Sequence, residues 1–288
     1  MMSTRIRGLI ALLRLPYWMM SGGLALLTAF AIAHFGILDL KIVPLIFFSM
    51  AFITSAGFAV NDYFDRESDA IIKPKRPIPA GSLSLRQVVV VAVFLFAVGL
   101  ILAVLINLLS FVILLVDYIL LLLYSAFVKR KSGLAANVLV GLLVGTAFIY
   151  GGAAVFQAVP VAISVSLTLY PICFGTIGGN VLRDILSLEG DSKIGYPTLP
   201  QKRGTRNAIR VAVFFFITTA LLAPLPFVFQ FFGIYYLFLI SLWSVLLFYA
   251  SIRLLTSAPI VENVRKYERL ITMSMMLLLL SLIIEALV

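Results

Sequence analysis

Residues 61–69 read Asn61-Asp62-Tyr63-Phe64-Asp65-Arg66-Glu67-Ser68-Asp69, and they follow directly on an apolar run, Ile42 to Val60, long enough to cross a bilayer as helix. If that helix continues through the acidic stretch, Asn61, Asp65 and Asp69 recur every fourth residue and fall on one face within about 80 degrees, with Asp62 alongside. Carboxylates stacked in this way repel one another and weaken a helix unless a positive group lies between them. Oxygen-only ligands suit Mg2+ or Ca2+ rather than zinc, and Mg2+ typically bridges a few carboxylates to substrate phosphates. The competing reading is a solvated helix end whose acids pair with Arg66 and Arg76.

Working outward, apolar runs of roughly 18 to 24 residues can be drawn about nine times. They are Pro16 to Leu38, Ile42 to Val60, Val88 to Ile106, Leu108 to Val128, Leu134 to Phe156, Val159 to Gly179, Ala208 to Phe229, Gly233 to Leu255 and Leu270 to Val288. With 62% apolar and only 12% charged residues, the chain is too poor in polar side chains to cover a soluble globule, so lipid must be its solvent. The fold class expected is an all-α integral membrane protein, a bundle of about nine transmembrane helices forming a single domain over residues 1–288. Arg5, Arg7 and Arg14 lead into the first run without a small-residue cleavage site, so no cleavable signal is expected. The single cysteine, Cys173, sits in an apolar run and excludes a disulfide framework or a cysteine-built metal centre.

The net charge of +10 is explained by membrane lipid as a partner and not by nucleic acid. If the amino terminus is cytoplasmic, all but one of the 22 lysines and arginines fall on cytoplasmic segments, and the exception is Lys41. A missed or invented helix would scatter them over both faces. The expected arrangement is therefore an integral cell-membrane protein with its amino terminus inside and its carboxyl terminus outside. Two cytoplasmic connections, about residues 61–86 and 180–207, are long enough to suggest function, whereas the outer ones are short.

The second of these connections carries Asn180-Val181-Leu182-Arg183-Asp184-Ile185-Leu186-Ser187-Leu188-Glu189-Gly190-Asp191. Asn180 and Asp184 repeat the spacing of Asn61 and Asp65, and an equal interval separates Lys73 from Lys193 and Pro77 from Pro197. The chain thus reads as a degenerate internal repeat. Two acidic helix ends facing each other could hold metal ions and a diphosphate between them, with Lys73, Arg76, Arg183 and Lys193 as positive clamps.

The motif N-D-x-x-D-x-x-x-D from Asn61, the following Lys73-Pro-Lys-Arg-Pro-Ile-Pro-Ala-Gly81, and the later Glu189-Gly-Asp-x-Lys-x-Gly195 together resemble the UbiA superfamily of intramembrane prenyltransferases over essentially the whole chain. The resemblance implies two aspartate-rich motifs binding Mg2+ and a prenyl diphosphate, cap segments over the site and a hydrophobic tunnel opening sideways into lipid. It places Asn61, Asp62, Asp65 and Asp69 in the first motif and Asp184 and Asp191 in the second. The metal ligands it implies are Asp62, Asp65, Asp69, Asp184 and Asp191. Two departures stand out: Ser187, where related sequences carry an acid four residues before Asp191, and Tyr17, where many carry asparagine. The acceptors it implies are lipophilic, either a glycerol phosphate ether of archaeal lipids, towards which the compact caps and apolarity lean, or an aromatic quinone precursor or haem.

Such a reaction breaks an allylic carbon–diphosphate bond, so charge must be neutralised on the leaving group and water kept from the carbocation. Candidates for the aromatic wall are Tyr63, Phe58, Tyr124 and Tyr17, with packing as the alternative for any one of them. Tyr124 and Lys129 close the fourth run and resemble the family's tyrosine and lysine near the diphosphate, whereas Arg130 and Lys131 read as interface anchors. Asn137 either turns towards the same cavity or makes an interhelical hydrogen bond. Arg14 joins the substrate-binding set. Asp117, inside the fourth run, reads as a structural hydrogen-bonding or protonated acid, and His34 and Glu285 as carrying no chemistry. A secondary transporter is the rival class, but it would place its polar site near the bilayer midplane and not at helix ends.

Overall fold

The protein is described by a computed structural model covering residues 4–35, 37–155, 159–193 and 195–288. Among these residues the regular structure is helical, with no strand. Among the described residues nine helices are long and apolar enough to cross a membrane: Thr4–Ala31, Leu40–Phe64, Leu85–Ile106, Leu108–Lys131, Gly133–Ala153, Pro160–Leu186, Thr205–Val228, Ile234–Thr256 and Val261–Leu287. The fifth expected run ends at Phe156, which lies outside the described residues.

Each span starts and stops for local reasons. Ser84 and Gln87 form a reciprocal capping box at the start of the third span. The Asn107 side chain accepts from Ser110 N–H at 2.7 Å to open the fourth, and its amide donates to Ala153 O at 2.6 Å, tying it to the fifth. Consecutive spans pack on one another, the ninth returns to the first to close the ring, and the first and sixth also touch the fifth and ninth respectively. Small residues permit this closeness: a Cβ on Gly151 would stand 2.4 Å from Ala25 O, and one on Gly178 would stand 2.8 Å from Ala212 O. Large apolar side chains such as Val90, Phe94, Ile101 and Phe238 face outwards, as lipid requires.

Two spans depart from their expected limits. The first begins at Thr4 and is broken between Leu13 and Pro16, because Arg14 adopts φ +52. The second does not stop at Val60. It runs to Phe64, and after a kink at Asp65 the helix Arg66–Ile72 carries on, with Asp65 N–H bonded to Asn61 O and Asp69 N–H to Asp65 O. The sixth span behaves alike: Phe174–Leu186 is followed, after Ser187, by Leu188–Lys193, with Asp191 N–H bonded to Ser187 O. The two acidic stretches are thus kinked helix extensions of the same design.

Candidate active site

The continuous hydrogen bonding from Asn61 to Lys73 keeps Asn61, Asp65 and Asp69 on one helix face. That face is buried: Asp62 is 3%, Asp65 6% and Asp69 5% exposed. A solvated helix end is therefore excluded. Buried carboxylates need partners, and the chain supplies them from the adjoining loop and from three distant segments.

Asp62 accepts from Arg14 at 2.5 Å and from Arg76 at 3.0 Å. Arg76 also reaches Asp69 at 2.5 Å, bridging the two acids across two helical turns. Asp65 accepts from Lys129 Nζ at 2.5 Å on one oxygen and from Tyr196 Oη at 2.9 Å on the other. Arg66, by contrast, pairs with exposed Glu67. The left-handed φ of Arg14 is the kind of backbone strain that gathers at functional sites: it breaks the first span where its guanidinium must reach Asp62, and that guanidinium also lies 4.4 Å from the centre of the Phe58 ring.

Lys129 arrives by another irregularity. The fourth span is α-helical over Leu108–Leu123, widens to a π-helical segment over Tyr124–Val128, and resumes at Lys129. Such widened turns re-aim side chains and recur at functional sites. Here Lys129 meets Asp65, and Tyr124 lies within the electrostatic influence of Asp65, Asp184 and Tyr196.

The second acidic stretch is more lightly held. Asp184 accepts from Asn137 Nδ2 at 2.7 Å, so the start of the fifth span is bonded to the end of the sixth. Asp191 accepts from Ser187 Oγ at 2.5 Å. Arg183 donates to Asn180 Oδ1 of the same stretch at 3.1 Å and to Glu268 of the ninth span at 3.2 Å. Tyr63 stands off the acidic face, its ring meeting Arg66 and Phe64. Lys193 is exposed. Asp117 is buried and accepts from Thr146 Oγ1 at 2.7 Å, a structural pairing away from both motifs. Glu285 accepts from the Gly233 N–H at the opposite end of the bundle.

Tyr196 escaped the reading of the sequence. It follows Gly195, whose φ of +68 turns the chain back over the first motif, and its hydroxyl also lies 3.3 Å from Ser68 Oγ. Its ring carries Lys129 Nζ at 5.0 Å. Burial above all lifts its phenol to about 12, with the Ser68 hydrogen bond opposing and the negative charge of Asp65 adding, so it remains a neutral donor at physiological pH. Only its place beside the Glu189 to Gly195 motif hinted at a role. Lys73 is held below the ordinary lysine value, by burial first and the positive charge of Arg76 second; Lys129 and Arg14 add to this, and Asp69 opposes it.

Among the described residues no three acidic, histidine or cysteine side chains converge closely enough to enclose a metal ion. The donor set still fits a hard divalent cation. It is entirely oxygen, and Asn61 Oδ1, next to Asp62, is buried without a hydrogen-bond partner. Mg2+ requires no protein cage, since it keeps waters and bridges carboxylates to phosphate oxygens.

The sequence profile of the UbiA prenyltransferase family matches residues 23–280. The chain is similar to the digeranylgeranylglyceryl phosphate synthase of Natronomonas pharaonis, 36% identical over 81% of this chain and 82% of that protein. It is also similar to the one of Methanocaldococcus jannaschii, 33% identical over 84% and 83%. A solved structure of a digeranylgeranylglyceryl phosphate synthase superposes with a TM-score of 0.84 over 99% of each chain, at 28% identity. A UbiA homologue from Archaeoglobus fulgidus, solved with GPP and Mg2+, shares the fold with a TM-score of 0.64 and 20% identity over 98% and 99% of the two chains.

Proposed function

The chain belongs to the UbiA prenyltransferase family, and from that premise we propose that this integral membrane protein transfers a geranylgeranyl group from its diphosphate to the free hydroxyl of a geranylgeranylglyceryl phosphate acceptor, with Mg2+ as cofactor. The single observation that carries the reading is the approach of the two acidic helix extensions at one end of the bundle, where a Cβ on Gly190 would stand 3.7 Å from Ile72 and Tyr196, just beyond the second extension, bonds Asp65 of the first motif. The acceptor class follows the relatives, which are named for that product.

In this reading Asp62, Asp65 and Asp69, with Asn61, together with Asp184 and Asp191, with Asn180, are the residues that would hold Mg2+. When bound, the cation neutralises the diphosphate and makes it a better leaving group. Lys129, Arg76 and Lys193 supply the remaining positive charge to the diphosphate oxygens. Asn137 orients Asp184 through its amide. The allylic carbon lies against Tyr124, whose ring face stabilises the developing cation while the apolar bundle excludes water. The carbon–diphosphate bond breaks, the acceptor's hydroxyl oxygen bonds the same carbon, and the hydroxyl proton leaves with the diphosphate. Arg183, facing Glu268, acts at a distance by fixing the sixth span against the ninth. The asymmetry of basic residues orients the site and the amino terminus towards the cytoplasm and the carboxyl terminus outwards.

The test is incubation of purified protein with labelled geranylgeranyl diphosphate, Mg2+ and a panel of glycerol phosphate ether, aromatic and haem acceptors. Product is expected with the glycerol phosphate ether, and turnover confined to an aromatic or haem acceptor overturns the assignment.

A further inference from the structure

A cavity of about 210 Å³ lies between the first turns of the seventh span and the end of the eighth, lined among others by Arg206, Ile209, Arg210, Leu254, Ser257 and Pro259. Its lining shares no residue with the acidic motifs or with the side chains that hold them. It includes two arginines and no carboxylate. Both arginines are exposed, and among the described residues neither has an ion-pair partner within 4.0 Å. Arg210 gives one N–H to Asn207 Oδ1 at 3.2 Å, which holds its guanidinium against the helix and leaves its other donors free to meet a ligand. Two guanidinium groups one helical turn apart, without a counter-charge, attract an anion and can grip the oxygens of one phosphate.

The surroundings decide what carries that phosphate. Arg206, Arg210 and Phe214 follow one another at four-residue intervals and share a face of the seventh span, on which Phe214 is exposed. Ile252 and Leu255 are exposed on the eighth span beside the cavity. In a bundle solvated by lipid, these side chains meet hydrocarbon. The volume is below the roughly 300 Å³ at which pockets begin to enclose a whole small molecule, so a head group enters and the rest of the ligand stays outside. Charge at the end of the spans with apolar faces beneath it is the layout of a membrane lipid, and basic pockets between spans at this level suit anionic head groups.

We propose that this cavity binds the head group of an anionic bilayer phospholipid, with Arg206 and Arg210 on its phosphate and its chains against Phe214, Ile252 and Leu255. The lipid bridges the seventh and eighth spans at the membrane surface and tethers the start of the seventh, just after the connection that carries Tyr196. The site requires only a bilayer and is independent of which acceptor the active site takes.

Native mass spectrometry of the full-length protein in detergent measures the affinity for phosphatidylglycerol and for phosphatidylcholine. Phosphatidylglycerol is expected to bind about fivefold more tightly, and Arg206→Gln combined with Arg210→Gln should weaken it about tenfold. Arg206→Lys combined with Arg210→Lys should keep most of the affinity, because the charge remains. A second arm needs no variant: phenylglyoxal labels arginines in the unaltered protein reconstituted into vesicles, and mass spectrometry reads each site. Labelling of Arg206 and Arg210, relative to exposed Arg265, should fall in phosphatidylglycerol vesicles compared with phosphatidylcholine vesicles. Equal affinity for the two lipids, no loss in the double glutamine variant, or equal labelling in the two kinds of vesicle overturns the site. Inorganic phosphate that protects the two arginines in detergent as well as phosphatidylglycerol does would overturn the lipid as its occupant.

Discussion

Tyr196 donates its phenolic hydrogen to Asp65 at 2.9 Å, joining the connection after the sixth span to the acidic face of the second. The bond is made to a buried carboxylate whose other oxygen is taken by Lys129. Tyr196→Phe removes the hydroxyl and keeps the ring beneath Lys129, and it should cost about 1 kcal/mol of stability with a several-fold fall in turnover. Tyr196→Ala should cost more, because the cation–ring contact goes too. Since burial above all pushes the phenol up to about 12, the Tyr196→Phe deficit should be the same at every pH from about 6 to 9. A deficit that vanishes towards alkaline pH, measured as kcat/KM against pH, would contradict the donor role.

Asp62 and Asp65 each neutralise buried or half-buried cations and are offered as metal ligands. Asp62→Ala or Asp65→Ala should lower transfer by about a hundredfold or more and raise the Mg2+ requirement. Far-ultraviolet circular dichroism should show the helices intact. Near-normal turnover in both variants would remove the metal-site reading.

Ser187 stands where the family resemblance leads one to expect an acid, and its hydroxyl donates to Asp191 at 2.5 Å. Ser187→Asp replaces a donor by a like charge one helical turn away, which raises the neighbours' proton affinity. Activity equal to or below that of the natural protein is expected, with an unchanged or higher Mg2+ requirement. A clear fall in the Mg2+ concentration for half-maximal activity would show that the second motif lacks a ligand.

Gly151 meets Ala25 O so closely that a side chain cannot be placed without moving the first span. Gly151→Val should destabilise the bundle by about 1–3 kcal/mol, read as a lower detergent melting temperature. Gly23 faces open space, so Gly23→Ala should leave the melting temperature nearly unchanged. Equal shifts for the two would show that the close approach of the first and fifth spans contributes nothing.

For orientation, a cysteine at exposed Ala80 in a Cys173→Ser background should react with a membrane-impermeant reagent only after the cytoplasmic face is opened. Labelling in sealed cells would reverse the topology.

The amino-acid sequence by itself determined the class of fold, because a run of apolar residues without charge has only one stable solution in lipid, a helix that satisfies its own backbone. It also determined the acidic face of the second span, since a four-residue spacing and a helical repeat place Asn61, Asp65 and Asp69 together wherever the helix goes. The echo from Asn180 to Asp191 identified the second extension. What lay beyond it was decided by tertiary structure. Tyr196 reaches Asp65 through a chain reversal at Gly195, and no periodicity encodes a contact between residues 131 apart. Lys129 is aimed by a π-helical turn and Arg14 by a left-handed residue, both irregularities that local propensity disfavours and only packing around a buried carboxylate can repay. The directions of Arg183 and Tyr63 were likewise set by packing: Arg183 reaches both Glu268 and Asn180, and Tyr63 meets Arg66 and Phe64. A cavity at Lys73 and Lys75 lies between the break in the first span and the loop after the second, a space that no single segment of the sequence contains.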